Sequence, residues 1–241
     1  MTESGNPLVR KLSRFADLTS GERDQIGAWC AHPVSLKAHN SVIREGDRPE
    51  ATCLMLSGWA CRYKDLRDGS RQIVDLLLPG DMCDLHGFLL ASADHSIAVL
   101  SDAVAALVPS AEILAGLDRE PRLVKALWWS TLVTEGITRE WVVNVGQRNA
   151  VTRIAHLMCE LWTRADVVGI LEGGALGFPL TQGTIGHATG LTDVHVNRSL
   201  RMLREEGLAT LTGRRLIIPD FARLASFAGF DPTYLQLHRR H

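Results

Sequence analysis

Hydrophobic and polar positions along the 241-residue chain fall into successive rhythms. From residue 7 to 32 apolar residues recur three or four apart. Leu12, Phe15 and Leu18 come first, and Ile26 and Trp29 follow a Ser20-x-x-Arg23 start, a spacing that predicts helix. From Pro33 to about Pro109 the period shortens. Apolar runs such as "CLMLSGWACRY" and "HSIAVLSDAVAALVP" are broken by turn pairs at Gly46-Asp47, Ser57-Gly58, Asp68-Gly69 and Gly80-Asp81. Many short strands at roughly ten-residue spacing imply an antiparallel sandwich or barrel, with "RDGSRQ" as a hairpin turn.

The helical period returns from Pro121 to about Val145. Leu123, Leu127, Ser130, Ile137, Trp141 and Asn144 share one face, and Val124, Trp128 and Trp129 widen the apolar surface. About 25 residues make a rod of roughly 38 Å, long for a helix packed inside a small domain. Gly136 weakens such a helix by about 1 kcal/mol, so packing must compensate. Two readings stand. One is an ordinary core helix. The other is a subunit-contact helix, with Leu123, Leu127, Ser130, Ile137 and Trp141 as its dimer face. After Gln147, "NAVTRIAHLMCELWTRADVVG" is an amphipathic helix with Asn149 as its cap, and "ILEGGALGFPL" is a glycine-rich loop or hairpin.

The stretch from Leu180 to Leu208 reads as two short helices joined by a glycine turn. Thr181 or Gln182 begins the first, and Ile185 and Ala188 face inward. Gly190 ends it in a left-handed position, Leu191 anchors the turn, and Thr192 caps the second helix. On that helix Val196, Leu200 and Leu203 share a face. At 100° per residue Val194, Arg198, Arg201 and Glu205 fall opposite, flanked by Asn197 and His195. This is the design of a helix-turn-helix: a buried seam, a tight turn, and hydrogen-bonding groups on the outer N-terminal half. Arg198 suits guanine O6 and N7, Asn197 suits adenine, and Val194 suits a thymine methyl. Thr181, Gln182 and Thr192 suit phosphates. "ATLTGRRLIIPD" then forms two strands bent at Thr212-Gly213-Arg214, a wing that carries Arg214 and Arg215. The tail "FARLASFAGFDPTYLQL" reads as a short helix.

Charge supports this placement. Net charge is −1 overall, but residues 147–241 hold 11 Arg, no Lys and 8 acidic groups (+3), against 15 basic and 19 acidic groups (−4) before them. The five cysteines are widely spaced with no C-x-x-C, which implies reduced thiols in a cytoplasmic protein. No signal core or membrane-length apolar stretch occurs.

The "EGD", "LMLSGWACRY" and "LLLPGD" segments, the long helix and "LTQGTIGHATGLTDVHVNRSLRMLREEGLATLTGRRLIIPD" together resemble the Crp–Fnr family of bacterial transcription regulators across nearly the whole chain. The resemblance implies an α+β protein: an N-terminal antiparallel, jelly-roll-like β-roll, a long dimerisation helix and a C-terminal winged helix-turn-helix. The expected division is a cyclic-nucleotide-binding-like sensor domain over 1–120 and a dimerisation helix over 121–147. The DNA-binding domain would follow over 148–222 and a tail helix over 223–241. It further implies a homodimer on palindromic double-stranded DNA, contact with RNA polymerase, and no enzymatic activity. Thr181, Gln182, Thr192, Asp193, Val194, His195, Asn197, Arg198, Arg201, Arg214 and Arg215 are the expected DNA-contacting residues.

Two departures matter. Val194 stands where the family often has a base-reading glutamate, with Asp193 before it, so the operator is expected to differ. In the sensor segment "GDMCDLHGFLL…DHSIAVL", Leu85 replaces the glutamate and His95 the phosphate-binding arginine of cyclic-nucleotide binders. Loss of that bidentate contact argues against cyclic AMP, and no cofactor is expected. Gly80, Asp84, Leu85, His86, His95 and Ser96 are the candidate sensor pocket. His86 and His95 invite a metal, and Cys83 beside His86 adds slightly to the idea, but nothing in the sequence supplies a clear third ligand, so no metal is expected. The competing readings are a small-molecule-binding β-roll module whose C-terminal domain docks on protein, and a cupin-like enzyme, which the absence of H-x-H spacing disfavours.

Overall fold

A computed structural model of the chain describes residues 5–85 and 89–237. The chain divides into two compact units, residues 1–64 with 75–134 and 237–241, and residues 65–74 with 135–236. The division falls inside the long helix, between Thr134 and Glu135.

The first unit opens with helices α1 (Pro7–Ser13) and α2 (Ser20–Trp29). Asn6 caps α1 by accepting from the N–H groups of Leu8 and Val9. α2 carries a capping box of Thr19 and Glu22, so the cap is Thr19 and not the Ser20 expected from the sequence. Strands follow as β1 (Pro33–Leu36), β2 (Ser41–Ile43), β3 (Ala51–Ser57), β4 (Ala60–Asp65), β5 (Arg71–Leu77), β6 (Met82–Cys83), β7 (Ser96–Val99) and β8 (Ala103–Pro109). They make two sheets, ordered β1-β8-β3-β6 and β2-β7-β4-β5.

β3 is buried along most of its length, unlike a half-exposed antiparallel strand. The pleat explains this. Cys53 and Met55 join the cluster inside the roll, with Ile43, Leu77, Ile97 and Val99. Leu54 and Leu56 join a second cluster on the other face, with Leu8, Leu12, Ile26 and Trp29 of α1 and α2. The five cysteines are free, and Cys53 faces Cys83 across the β3–β6 pairing.

Helix α3 (Ser110–Arg119) has no counterpart in the sequence reading, which passed from Pro109 to Pro121. It buries only Ile113 and Gly116, too narrow a stripe to stand out. Helix α4 (Arg122–Gln147) corrects the expected dimer face. Leu123 and Leu127 are in the cluster with α1 and α2. Ile137 and Trp141 are also buried within the chain, and Ser130 is half-buried, so this face already has its partner. The exposed apolar residues of α4 are Val124, Trp128, Leu132, Val142, Val143 and Val145.

In the second unit α5 (Ala150–Val168) is capped by Asn149 and ends at left-handed Gly169. Then come β9 (Leu171–Glu172), β10 (Ala175–Gly177), α6 (Gln182–Thr189), α7 (Asp193–Glu205), β11 (Thr210–Thr212), β12 (Arg215–Ile217) and α8 (Phe221–Ala228), with a final 3-10 turn at Pro232–Leu235. "ILEGGALGFPL" is thus a hairpin, and it extends the wing into one sheet, β11-β12-β10-β9. α5 packs against α6, α7 and α8. A fully buried carboxylate, Glu160, ties the unit together. It accepts from Trp141 Nε1 of α4 at 3.1 Å and from the Tyr234 hydroxyl at 2.9 Å, and pairs with Arg164 at 3.2 Å.

Candidate nucleic-acid interface

Local chemistry sets the turn between α6 and α7. Thr181 Oγ1 accepts from the Thr184 N–H at 3.1 Å, and Gly190 ends α6 at φ 64°. Gly186 was not singled out in the sequence. A β-carbon there would stand 2.6 Å from the Leu191 carbonyl oxygen, so only glycine lets the turn fold back onto α6.

α7 buries Val196, Ser199 and Leu203. Val194 is 75% exposed. His195, Asn197, Arg198 and Arg201 are exposed as well, so the outer side carries the expected groups. Three details differ from the sequence reading. Thr192 holds the N-cap position, but its hydroxyl pairs with His195 Nδ1 at 2.8 Å and caps no backbone N–H. Asp193 is turned toward α6: one carboxylate oxygen lies 3.7 Å from the β-carbon position of Gly186 and 4.0 Å from that of Gly183. Its charge complements the helix N-terminus, and the side chain is exposed beside Val194. Asn197 Nδ2 donates to Gln182 Oε1 at 3.4 Å, which joins the two helices on their exposed side.

At the wing, Thr212 pairs with Arg215 across a two-residue turn in which Gly213 (φ 57°) and Arg214 (φ 59°) are both left-handed. That is the hairpin geometry matching strand twist, and an arginine there costs about 1 kcal/mol or more. Arg215 is exposed, and one of its N–H groups donates to the Glu172 carbonyl at 2.6 Å. Arg214 stands in the turn itself, and Arg215 follows on β12. A groove of about 420 Å³ runs between helices and wing, lined by Thr181, Gln182, Asn197, Arg201, Arg204 and Arg214 among others. Arg204 was missed, although it follows Arg201 at helical spacing.

The first unit holds a cavity of about 350 Å³, lined by Arg62, Asp84, Leu85, His95, Ser130 and Thr134 with apolar neighbours. Asp84, itself left-handed at φ 53°, lies 3.1 Å from His95 Nε2 and 3.5 Å from Arg62 Nε. Arg62 also pairs with Asp75 at 2.6 Å, and His95 Nδ1 with Asp94 at 2.8 Å. The hydrogen bond that His95 donates to the Asp84 carboxylate raises the His95 pKa against the opposing effect of burial. Burial works against the charge of Asp84, but the His95 hydrogen bond and the Arg62 charge hold its carboxyl below the usual range. Arg62 was not anticipated; its signal was a lone arginine inside the apolar run of β4.

Of the other expected pocket residues, Gly80 belongs to a turn pressed against the Pro7 carbonyl, 2.8 Å from its β-carbon position. Ser96 accepts from the Glu45 N–H at 3.0 Å and does not line the cavity. His86 lies outside the described residues. Among the described residues no group of three His, Cys, Asp or Glu side chains could hold a metal ion. No helix among them is long and apolar enough to cross a membrane.

Comparison with known proteins agrees with both units. The Crp-like helix-turn-helix domain matches residues 152–227, and the cyclic nucleotide-binding domain matches residues 33–120. The chain is 29% identical to the transcriptional activator protein FnrL of Cereibacter sphaeroides, over 82% of this chain and 80% of that one. It is 28% identical to the nitrogen fixation regulation protein FixK of Rhizobium meliloti, over 76% and 81%. Its fold matches the solved structure of FixK2 from Bradyrhizobium japonicum with a TM-score of 0.72 at 23% identity, covering 81% of this chain and 96% of that one.

Proposed function

The chain belongs to the Crp–Fnr family of DNA-binding transcription regulators, and from that premise we propose that it acts as a homodimer on palindromic operators, one α7 helix in the major groove of each half-site. The observation that carries this reading is the outer side of α7. Val194, Asn197 and Arg198 are exposed, over a seam of Val196, Ser199 and Leu203 that fixes the helix against α5 and α6. Arg198 reads guanine, and Val194 contacts a thymine methyl in place of a glutamate reading cytosine. Arg201, Arg204 and Arg214 meet phosphates around the groove.

The second copy docks on the exposed side of α4. Val124, Trp128 and Leu132 recur every four residues there, and a solvated stripe of this kind is a contact surface. Contact with RNA polymerase is proposed from the activator relatives.

The cavity residues fit a cyclic nucleotide poorly. His95 occupies the expected phosphate position but is held between two carboxylates, Asp84 and Asp94, and Arg62 is already paired with Asp75. A cyclic phosphate would meet those carboxylates without a free arginine to offset them. The effector, if one acts here, has different chemistry.

The test is selection from random duplex DNA by the purified protein at physiological salt. The expected result is a palindrome with half-sites about one helical turn apart, and affinity that falls steeply with salt. Salt-insensitive or sequence-blind behaviour would overturn the reading.

A further inference from the structure

We propose that Gln182 is a positioning residue for base recognition: it holds the Asn197 amide in the orientation that reads adenine. The inference rests on α7 being the base-reading helix. Asn197 lies on the flank of α7 that faces α6, while Gln182 is the first residue of α6, beside the Thr181 cap. One N–H of Asn197 donates to Gln182 Oε1 at 3.4 Å. A primary amide has two N–H groups and one carbonyl oxygen. With one N–H engaged, a donor and an acceptor remain, and adenine presents the matching acceptor N7 and donor N6 amine in the major groove.

A free asparagine amide can turn over and exchange its donor and acceptor edges. Gln182 opposes that turn while its own carbonyl faces Asn197, because the flipped Asn197 amide would then set carbonyl against carbonyl. The exposed hydrogen bond adds little to stability. Its effect is to order the reader before DNA arrives. The Gln182 amide N–H groups remain free for a backbone phosphate at the start of α6, so one residue connects the register set by the backbone to the identity of one base.

The experiment uses the full chain and the duplex recovered by selection. Each adenine is replaced in turn by 7-deazaadenine, which lacks N7. Wild-type protein is expected to lose affinity roughly tenfold at one adenine per half-site, as a bidentate contact predicts. Asn197→Ala should bind the two duplexes equally. Gln182→Leu should also lose the preference, and should weaken all duplexes alike by no more than the one phosphate contact it gives up. Gln182→Glu should keep the preference, since its carboxylate still accepts from Asn197, while weakening all duplexes alike through its negative charge. That split separates orientation from folding. If no adenine is sensitive, or if Asn197→Ala or Gln182→Leu retains the preference, the inference fails while DNA recognition by α7 stands. If selection recovers no site, both fail.

Discussion

The carbonyl oxygen of Tyr234 lies 2.9 Å from where a β-carbon at Gly136 would stand. A glycine in the middle of a 26-residue helix is thereby explained: α4 gives up helix propensity so that the C-terminal 3-10 turn can press its backbone against it. The same turn directs the Tyr234 hydroxyl to Glu160, and Tyr234 stacks near His156.

Gly136→Ala is therefore expected to destabilise the protein, although alanine favours helix by about 1 kcal/mol. The clash is with backbone, which cannot rotate away, and overpacking of this kind costs about 1–3 kcal/mol. Urea unfolding checks the sign. A stabilised Gly136→Ala variant would refute the close approach.

Two histidines should give opposite pH dependences. His156 is buried, and burial with the nearby Arg148 charge lowers its pKa from 6.5 to about 4. The unfolded chain takes up this proton near 6.5 and the folded chain only near 4, so its contribution is lost as pH falls through that window. The full effect is roughly 3 kcal/mol. His95, whose pKa is raised by Asp84, contributes stability below its ordinary value of 6.5 that is lost as pH rises through the higher folded value. Unfolding midpoints between pH 4 and 8 should show a shallower acid loss in His156→Gln and a shallower alkaline loss in His95→Gln.

Trp128→Glu places a charge on the exposed side of α4, where Trp128 is 63% accessible within one chain. The fold should be unaffected, since no core contact is removed. Sedimentation should show a shift from dimer to monomer, and operator affinity should fall by about tenfold or more, as a two-site contact becomes a one-site contact. A variant that stays dimeric would assign the contact to another surface.

Arg214→Asn separates strain from function. Asparagine tolerates the left-handed turn better than arginine, so stability should hold or rise by about 0.5–1 kcal/mol. DNA affinity should fall evenly across sequences, and the salt slope should drop by about one phosphate contact. A base-specific loss would mean that the wing tip reads sequence.

Arg198→Ala should cost about 1–3 kcal/mol on the selected operator and relax preference at one base pair. Arg198 is not part of the buried seam, so circular dichroism should be unchanged. Full retention of sequence preference would shift the base-reading register along α7.

What the sequence disclosed was the chemistry that acts locally. The Gly190 turn, the inward spacing of Val196 and Leu203, the Gly213 hairpin and the Asn149 cap each depend on residues a few positions apart. What it did not disclose depends on distant neighbours. Periodicity found the apolar face of α4 but not that the chain itself covers it. Helical position set Asp193 beside Val194 but could not show the carboxylate lying over Gly186. The donation of Arg215 to the Glu172 carbonyl shows only once β9 lies alongside, and nothing in the sequence around Arg62 discloses that Asp75 and Asp84 surround it.

The thiols described above give the protein a built-in clock for its own opening. Burial pushes the Cys159 thiol up to about 12, while a hydrogen bond between the Cys83 thiol and Cys53, together with burial, raises that of Cys83. At pH 8 the reactive thiolate of Cys159 is about one part in ten thousand, and the side chain is shut away from solvent. Alkylation at these two sulfurs must wait for each unit to come apart. Because Cys83 sits in the first unit and Cys159 in the second, labelling rates at the two positions would time the loosening of the β-roll and of the helical unit separately, without any engineered probe.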